Sequence, residues 1–272
     1  MISKYYNIVE RHIKPELGSW DVRDISVQMA VDFSEELMKI LSPKSVKDVL
    51  VVLHSVLKYV GIEMDMPYPR VRAQEMRVLS AAEQRLLTEQ LLGSGDRRDL
   101  GILLALLTGM RIGELCALRW ENISMENRTI FVRSTMQRLQ CQDTEQKTRV
   151  IITSPKSEKS VRLIPMTELA FRICQQIWTE EGFFLTGTEK YLEPRCMQYR
   201  MAYVAKECGL EGVHFHTLRH TFATRCVEVG FELKSLSEVM GHSATTVTLE
   251  RYIHASLQMK RDNMRRLEEI GM

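Results

Sequence analysis

Between Gly61 and Ala73 the chain loses the helical spacing of its apolar residues and sets Pro67 and Pro69 among charged neighbours. Proline removes a backbone donor and pushes the preceding residue out of helical geometry, so no single packed layer runs through this stretch. The interior must therefore be built in two pieces, and 272 residues is long enough for two domains. The boundary is expected near residue 72, giving a small unit over 1–72 and a larger one over 73–272.

The first unit reads as helical. Helices are expected over Tyr6–Ile13, ending before Pro15, over Ser26–Leu41, and over Lys44–Val60, where Val46, Val49, Leu50, Leu53, Leu57 and Val60 recur at helical spacing. In the second unit Ser80 and Glu83 form a capping box for a helix to about Leu92. An apolar helix over Asp99–Thr108 stops at Gly109, and another runs from Ile112 to Leu118. Strands are expected over Thr129–Met136, Val150–Thr153 and Val161–Pro165, where β-branched residues alternate. Helices return over Thr167–Trp178, Pro194–Cys208, His216–Val229, Leu233–Met240 and Ala244–Ile253.

Composition removes several function classes. The net charge of +2, from 37 basic and 35 acidic residues, excludes a binder that holds polyanions by bulk charge. The longest nearly apolar stretch, Gly101–Met110, is half of the roughly 20 residues that cross a bilayer. The first residues alternate charged and apolar side chains without a signal-peptide core, so the expected compartment is the cytoplasm. Six cysteines lie at least 12 residues apart without a C-x-x-C pair, which fits reduced, mostly packed thiols better than a zinc site or disulfide framework. Charge does concentrate locally: residues 128–162 hold eight basic side chains against three acidic ones, a candidate phosphate-facing strip containing Arg133, Arg138, Lys147, Arg149 and Lys159.

Five of seven histidines fall after residue 213, in and around the stretch HFHTLRHT. His216 and Arg219 sit three residues apart at a helix start, so they share a face, and a helix N-terminus favours anions. His216 and His220 have the i, i+4 spacing of a zinc-binding pair. However, no carboxylate lies between them, and Arg219 would place a cation beside the metal, so no metal is expected. Further on, Gly241 can close one helix and leave His242 at an elbow, with Tyr252 ten residues later. Earlier, Gly109 frees the backbone so that Arg111 can emerge from a rigid helix end, with Glu114 placed to orient it.

Taken in order, Arg111, Lys156 in Ser-Pro-Lys-Ser, His216-x-x-Arg219, Gly241-His242 and Tyr252 resemble the tyrosine recombinase, or phage integrase, family. The likeness covers residues 73–272, and HTLRHTFATR, LSEVMGHS and TLERYIH look most like integrases of phages and conjugative transposons. It implies a mainly α fold with a small antiparallel β-sheet, in which a helical core-binding (SAM-like) domain precedes a mixed α/β catalytic domain. Arg111 and Arg219 would clamp the scissile phosphate, and His216 would assist proton transfer. His242 would donate to the phosphate, Lys156 would protonate the departing 5′ oxygen, and Tyr252 would form a 3′-phosphotyrosyl link, with Glu114 in support. A tyrosine ionises near pH 10, so its deprotonation at pH 7 costs about 4 kcal/mol, which two arginines and a histidine can offset.

The resemblance also implies double-stranded DNA as partner and no cofactor, because the bond energy is held in the phosphotyrosine. It implies a homotetramer working through a Holliday junction, accessory DNA-bending or excision factors, and a nucleoid-associated location. The C-terminal segment, with Leu257, Met264, Leu267 and Ile270 along one side, would pack on its own domain or on a neighbouring protomer. The helical domain is expected to be short at its start, so the chain reads either as a reduced integrase or as a fragment. Two other readings remain at this stage: a type IB topoisomerase, and a DNA-binding regulator without catalysis.

Overall fold

The computed structural model describes residues 2–71, 76–140, 148–154, 160–241 and 265. The chain divides into two compact units, 1–75 and 76–272, close to the expected boundary. In the first, α1 (Ile2–Ile8) passes through a π-helical turn (Val9–Ile13) into α2 (Lys14–Leu17), followed by α3 (Val27–Met38) and α4 (Pro43–Tyr59). Ser26 and Ser42 cap α3 and α4 through their side-chain oxygens. The apolar faces close on one core that includes Leu17, Phe33, Leu37, Leu50, Leu53 and Leu57. Pro15 does not end the helical segment as expected. It lies in the first turn of α2, where a missing N–H breaks no helical bond.

The second unit begins with α5 (Ala81–Gly93), whose Ser80–Glu83 capping box forms as expected. Next comes α6 (Arg97–Thr108), with Leu100, Ile102, Leu103, Leu104, Ala105 and Leu106 all buried, so it is wrapped on nearly every side. A short α7 (Ile112–Cys116) follows, then strands β1 (Ile123–Ser124), β2 (Thr129–Val132), β3 (Thr135–Gln140), β4 (Thr148–Thr153) and β5 (Arg162–Pro165). Four helices complete the described part: α8 (Glu168–Gln176), α9 (Pro194–Glu207), α10 (Phe215–Glu228) and α11 (Leu233–Met240). No helix is long and apolar enough to cross a membrane among the described residues.

The strands form two antiparallel sheets, one ordered β1-β2-β5 and one β3-β4. The single strand expected over Thr129–Met136 is therefore two. Ile130, Val132 and Met136 are buried in the same even-numbered phase, with half-buried Ser134 between the last two, so the chain changes partner at Arg133–Ser134 without a shift of the buried face.

Polar ties fix the helices around α6. Arg200 of α9 forks onto Asp99 with two bonds of 2.6 Å. Thr221 of α10 accepts the Leu79 amide at 3.0 Å, and Arg225 donates to the Leu79 carbonyl at 2.7 Å, which seats the entry to α5. Among the described cysteines, Cys116, Cys174 and Cys226 are buried and Cys208 is half-buried. Burial pushes the Cys116 and Cys174 thiols up to about 12, with nearby Cys196 adding to the effect at Cys116. Cys196 is exposed.

Candidate functional site

Two glycines make this site. Gly109 ends α6 at φ +66°, and Gly241 ends α11 at φ +61°, both in the left-handed region that favours glycine. A Cβ at Gly109 would lie 2.5 Å from the Phe222 ring, and one at Gly241 would lie 2.9 Å from Arg162 Nη1. The two helix ends can therefore come together only without side chains at their caps. Their terminal carbonyls carry the negative end of each helix dipole, a natural seat for cations.

Three guanidiniums occupy that seat. Arg219, one turn into α10 and 5% exposed, donates to the carbonyls of Gly109 and Met240. Arg111, between α6 and α7 and part-exposed, donates from Nη2 to the Gly241 carbonyl at 3.2 Å and from Nη1 to Glu114 at 2.8 Å. The two arginines expected to act together thus reach consecutive carbonyls, Met240 and Gly241. Arg162, on β5 and buried, is the third: it donates to both Glu114 oxygens at 3.1 and 2.8 Å and to the Val239 carbonyl at 2.6 Å.

Glu114 accepts from both arginines and from the Arg111 amide, at 2.9 Å. Burial alone would raise its carboxyl, but the Arg162 fork, together with the charges of Arg162 and Arg111 and the Arg111 amide, outweighs that and holds it at about 2. Of these four buried or half-buried charged groups, three are cations. A cluster with that balance carries net positive charge, which suits an anion.

His216 is exposed one turn before Arg219, with its ring 6.1 Å from that of His214 and 6.5 Å from that of His220. The start of α10 is not an open anion seat. His214 caps it, with Nδ1 accepting the Thr217 amide at 3.2 Å. No group of histidine, cysteine, aspartate or glutamate side chains suited to a metal occurs among the described residues. Lys156, His242 and Tyr252, the DNA-facing candidates Lys147 and Lys159, the helix expected over Ala244–Ile253, and all but Arg265 of the C-terminal segment lie outside the described residues.

Among the described residues of the basic strip, most arginines are paired with acids. Arg133 pairs with Glu121, Arg128 with Glu168, and Arg138 forks onto Glu193, and all three acids come from outside the strip. Arg162, counted in the strip, faces the interior; Arg149 is exposed. A surface carrying arginine beside tyrosine was missed by counting charge. On α9, exposed Arg195 stacks over Tyr199 at 4.8 Å, and Arg200, already paired with Asp99, stacks over Tyr203 at 5.2 Å, with both tyrosines more than half exposed. Its signal in the sequence is arginine and tyrosine recurring at helical spacing from 195 to 203.

The profile of the phage integrase family matches residues 71–259. A XerC-like tyrosine recombinase of Caldanaerobacter subterraneus subsp. tengcongensis is 26% identical over 216 residues, covering 72% of this chain and 55% of that protein. The Tn916 transposase of Enterococcus faecalis is 29% identical over 187 residues, covering 62% and 45%. The chain spans about half the length of these curated relatives. Among solved structures, the Tn1549 transposon integrase in complex with transposon right end DNA superposes with a TM-score of 0.81 at 22% identity, over 97% of this chain and 92% of that one. A lambda integrase tetramer bound to a Holliday junction gives 0.64 at 18% identity, over 91% and 70%. The fold is thus that of the tyrosine recombinase catalytic domain, mainly helical with small antiparallel sheets.

Proposed function

The chain belongs to the phage integrase family, and on that premise we propose that it is a site-specific DNA recombinase that cuts and rejoins strands through a phosphotyrosyl intermediate. The observation that carries this reading is the convergence of Arg111 and Arg219 on the consecutive carbonyls of Met240 and Gly241, at the joined ends of α6 and α11. Forks fixed by backbone carbonyls and by Glu114 are preorganised, so little reorganisation is needed as charge develops on a phosphoryl group.

In this reading the Tyr252 oxygen attacks the scissile phosphorus, a P–O bond forms to the tyrosine, and the bond to the 5′ oxygen breaks. Lys156 delivers the proton to that oxygen, and His216 assists removal of the tyrosine proton. His242 and the two arginines hold the non-bridging oxygens. Attack by a 5′-hydroxyl of another strand reverses these steps and releases Tyr252, without metal or nucleotide. Double-stranded DNA would lie against the exposed residues Arg149 and Arg195, and exchange between two duplexes would need four protomers around a junction.

The test is a pool of nicked duplexes with a randomised core, on which the broken strand cannot religate. Wild type is expected to retain a covalently attached strand and Tyr252→Phe none. Recovery of equal adduct from both proteins, or of none from wild type, would sink the reading. Strand exchange between two labelled duplexes then separates recombination from simple nicking and resealing.

A further inference from the structure

Arg162 has no assigned part in this chemistry, yet it is among the most constrained polar side chains of the second unit. The side chain is 5% exposed and touches four acceptors: both Glu114 oxygens, the Ser160 carbonyl at 3.1 Å and the Val239 carbonyl at 2.6 Å. Glu114 and Val239 each adjoin residues of the site. Glu114 holds Arg111. Val239 precedes Met240 and Gly241, whose carbonyls receive Arg219 and Arg111. Ser160 follows Lys156 by four residues.

Packing alone does not account for a guanidinium here. Desolvating two charges costs several kcal/mol for each ion, and two apolar side chains in place of Arg162 and Glu114 would often fill such a space at least as well. A fork with donors in fixed directions defines angles and distances that methionine or leucine would leave loose. Arg111 is held by two groups, Glu114 and the Gly241 carbonyl, and Arg162 touches the first and packs against the second residue. With Arg162 removed, Glu114 would keep Arg111 as its remaining described cationic partner. It would draw that guanidinium inward, and the end of α11 would lose its tie to β5.

We propose that Arg162 is a positioning residue: it locks Glu114 to the end of α11 and thereby aims the Arg111 and Arg219 guanidiniums at a bound phosphate. The aiming step rests on the reading of the site as a phosphate clamp, whereas the locking step can be measured without DNA. Arg162→Met and Arg162→Lys are compared with wild type in two arms.

The first arm records the side-chain Nε–H signals of Arg111 and Arg219 by arginine-labelled NMR, each assigned by its own lysine replacement. Arg162→Met should shift or broaden the Arg111 signal, and Arg162→Lys should do so less. The second arm measures single-turnover adduct formation at saturating nicked duplex, and duplex affinity. Arg162→Met should slow the rate by about 10- to 100-fold, as small misplacements of a catalytic group do, while affinity changes by less than about threefold. Lysine should recover part of the rate. In an Arg111→Lys background, Arg162→Met should cost less than about threefold more, because coupled residues are not additive.

Unchanged Arg111 and Arg219 signals in a folded Arg162→Met protein, or the same fold-loss in both backgrounds, would overturn the proposal. If Arg162→Met does not fold, the same criteria apply to Arg162→Lys. Absence of any adduct from wild type would defeat the functional reading instead, and the NMR arm would still decide the positioning role.

Discussion

Glu114→Gln is the substitution whose cost the structure defines most closely. The carboxylate is 3% exposed and accepts from Arg111 at 2.8 Å, from Arg162 at 3.1 and 2.8 Å, and from the Arg111 amide at 2.9 Å. A glutamine has one acceptor oxygen for these donors and turns an NH₂ toward a guanidinium, leaving Arg162 buried without its counter-ion. Removing one partner of a buried pair costs about 3–5 kcal/mol. The pH linkage gives a similar size: a carboxyl lowered from 4.5 to about 2 contributes about 3 kcal/mol at neutral pH. Because the folded value is depressed, this contribution is complete above about pH 4.5 and is lost as pH falls toward 2. Urea unfolding followed by tryptophan fluorescence reads the second unit, since Trp120 is 4% exposed whereas Trp20 and Trp178 are each 54% exposed. The stability gap between wild type and variant should be about 3 kcal/mol or more at pH 7 and should narrow between pH 4.5 and 3. A gap under about 1 kcal/mol at pH 7, or one that stays constant on acidification, would refute the reasoning.

Three further outcomes follow from other parts of the molecule. Gly109→Ala should destabilise the second unit by about 2–5 kcal/mol in urea melts, combining left-handed strain with a Cβ 2.5 Å from Phe222; a variant within 1 kcal/mol would show that the helix end relaxes freely. Asp99→Ala, which leaves the part-exposed Arg200 with Asp96 at 3.8 Å, should cost about 1.5–3 kcal/mol and lower the melting temperature. Arg195→Ala should weaken DNA binding uniformly across sequences and flatten the salt dependence by about one unit of slope; an unchanged slope would remove α9 from the DNA-facing surface.

What could be read from the chain and what could not divide along sequence distance. Ser80 with Glu83, Gly109, Gly241 and the pair Arg111–Glu114 act within four residues, so their roles follow from local stereochemistry and appear in the structure as expected. Pro15 and the strand over Thr129–Met136 fail for a different reason. A proline is equally consistent with the end of one helical stretch and the first turn of the next, and two-residue alternation records which face is buried but not which strand lies alongside. Arg162 could not be found locally at all, because its carboxylate partner lies 48 residues earlier and its carbonyl partner 77 residues later.

The charge count has the same dependence on sequence distance among the described arginines, and this bears on function. Along the chain, the excess in 128–162 looks like a surface built to meet a polyanion, whereas Glu121, Glu168 and Glu193 fold back onto three of its arginines and Arg162 turns inward. Among the described residues, positive charge is also concentrated at the ends of α6 and α11, where Arg111, Arg162 and Arg219 share Glu114 and the helix-end carbonyls. Charge held this way attracts one phosphate at close range more than it attracts a whole duplex at long range, because it is partly buried and only Arg111 is substantially open to solvent. A near-neutral protein of this construction should therefore discriminate between bound geometries at the reacting phosphate much more sharply than it discriminates DNA from other polyanions in the encounter. Measured separately, single-turnover rates should respond steeply to substitutions in this cluster, and association rates should respond to the exposed arginines of α9 and β4.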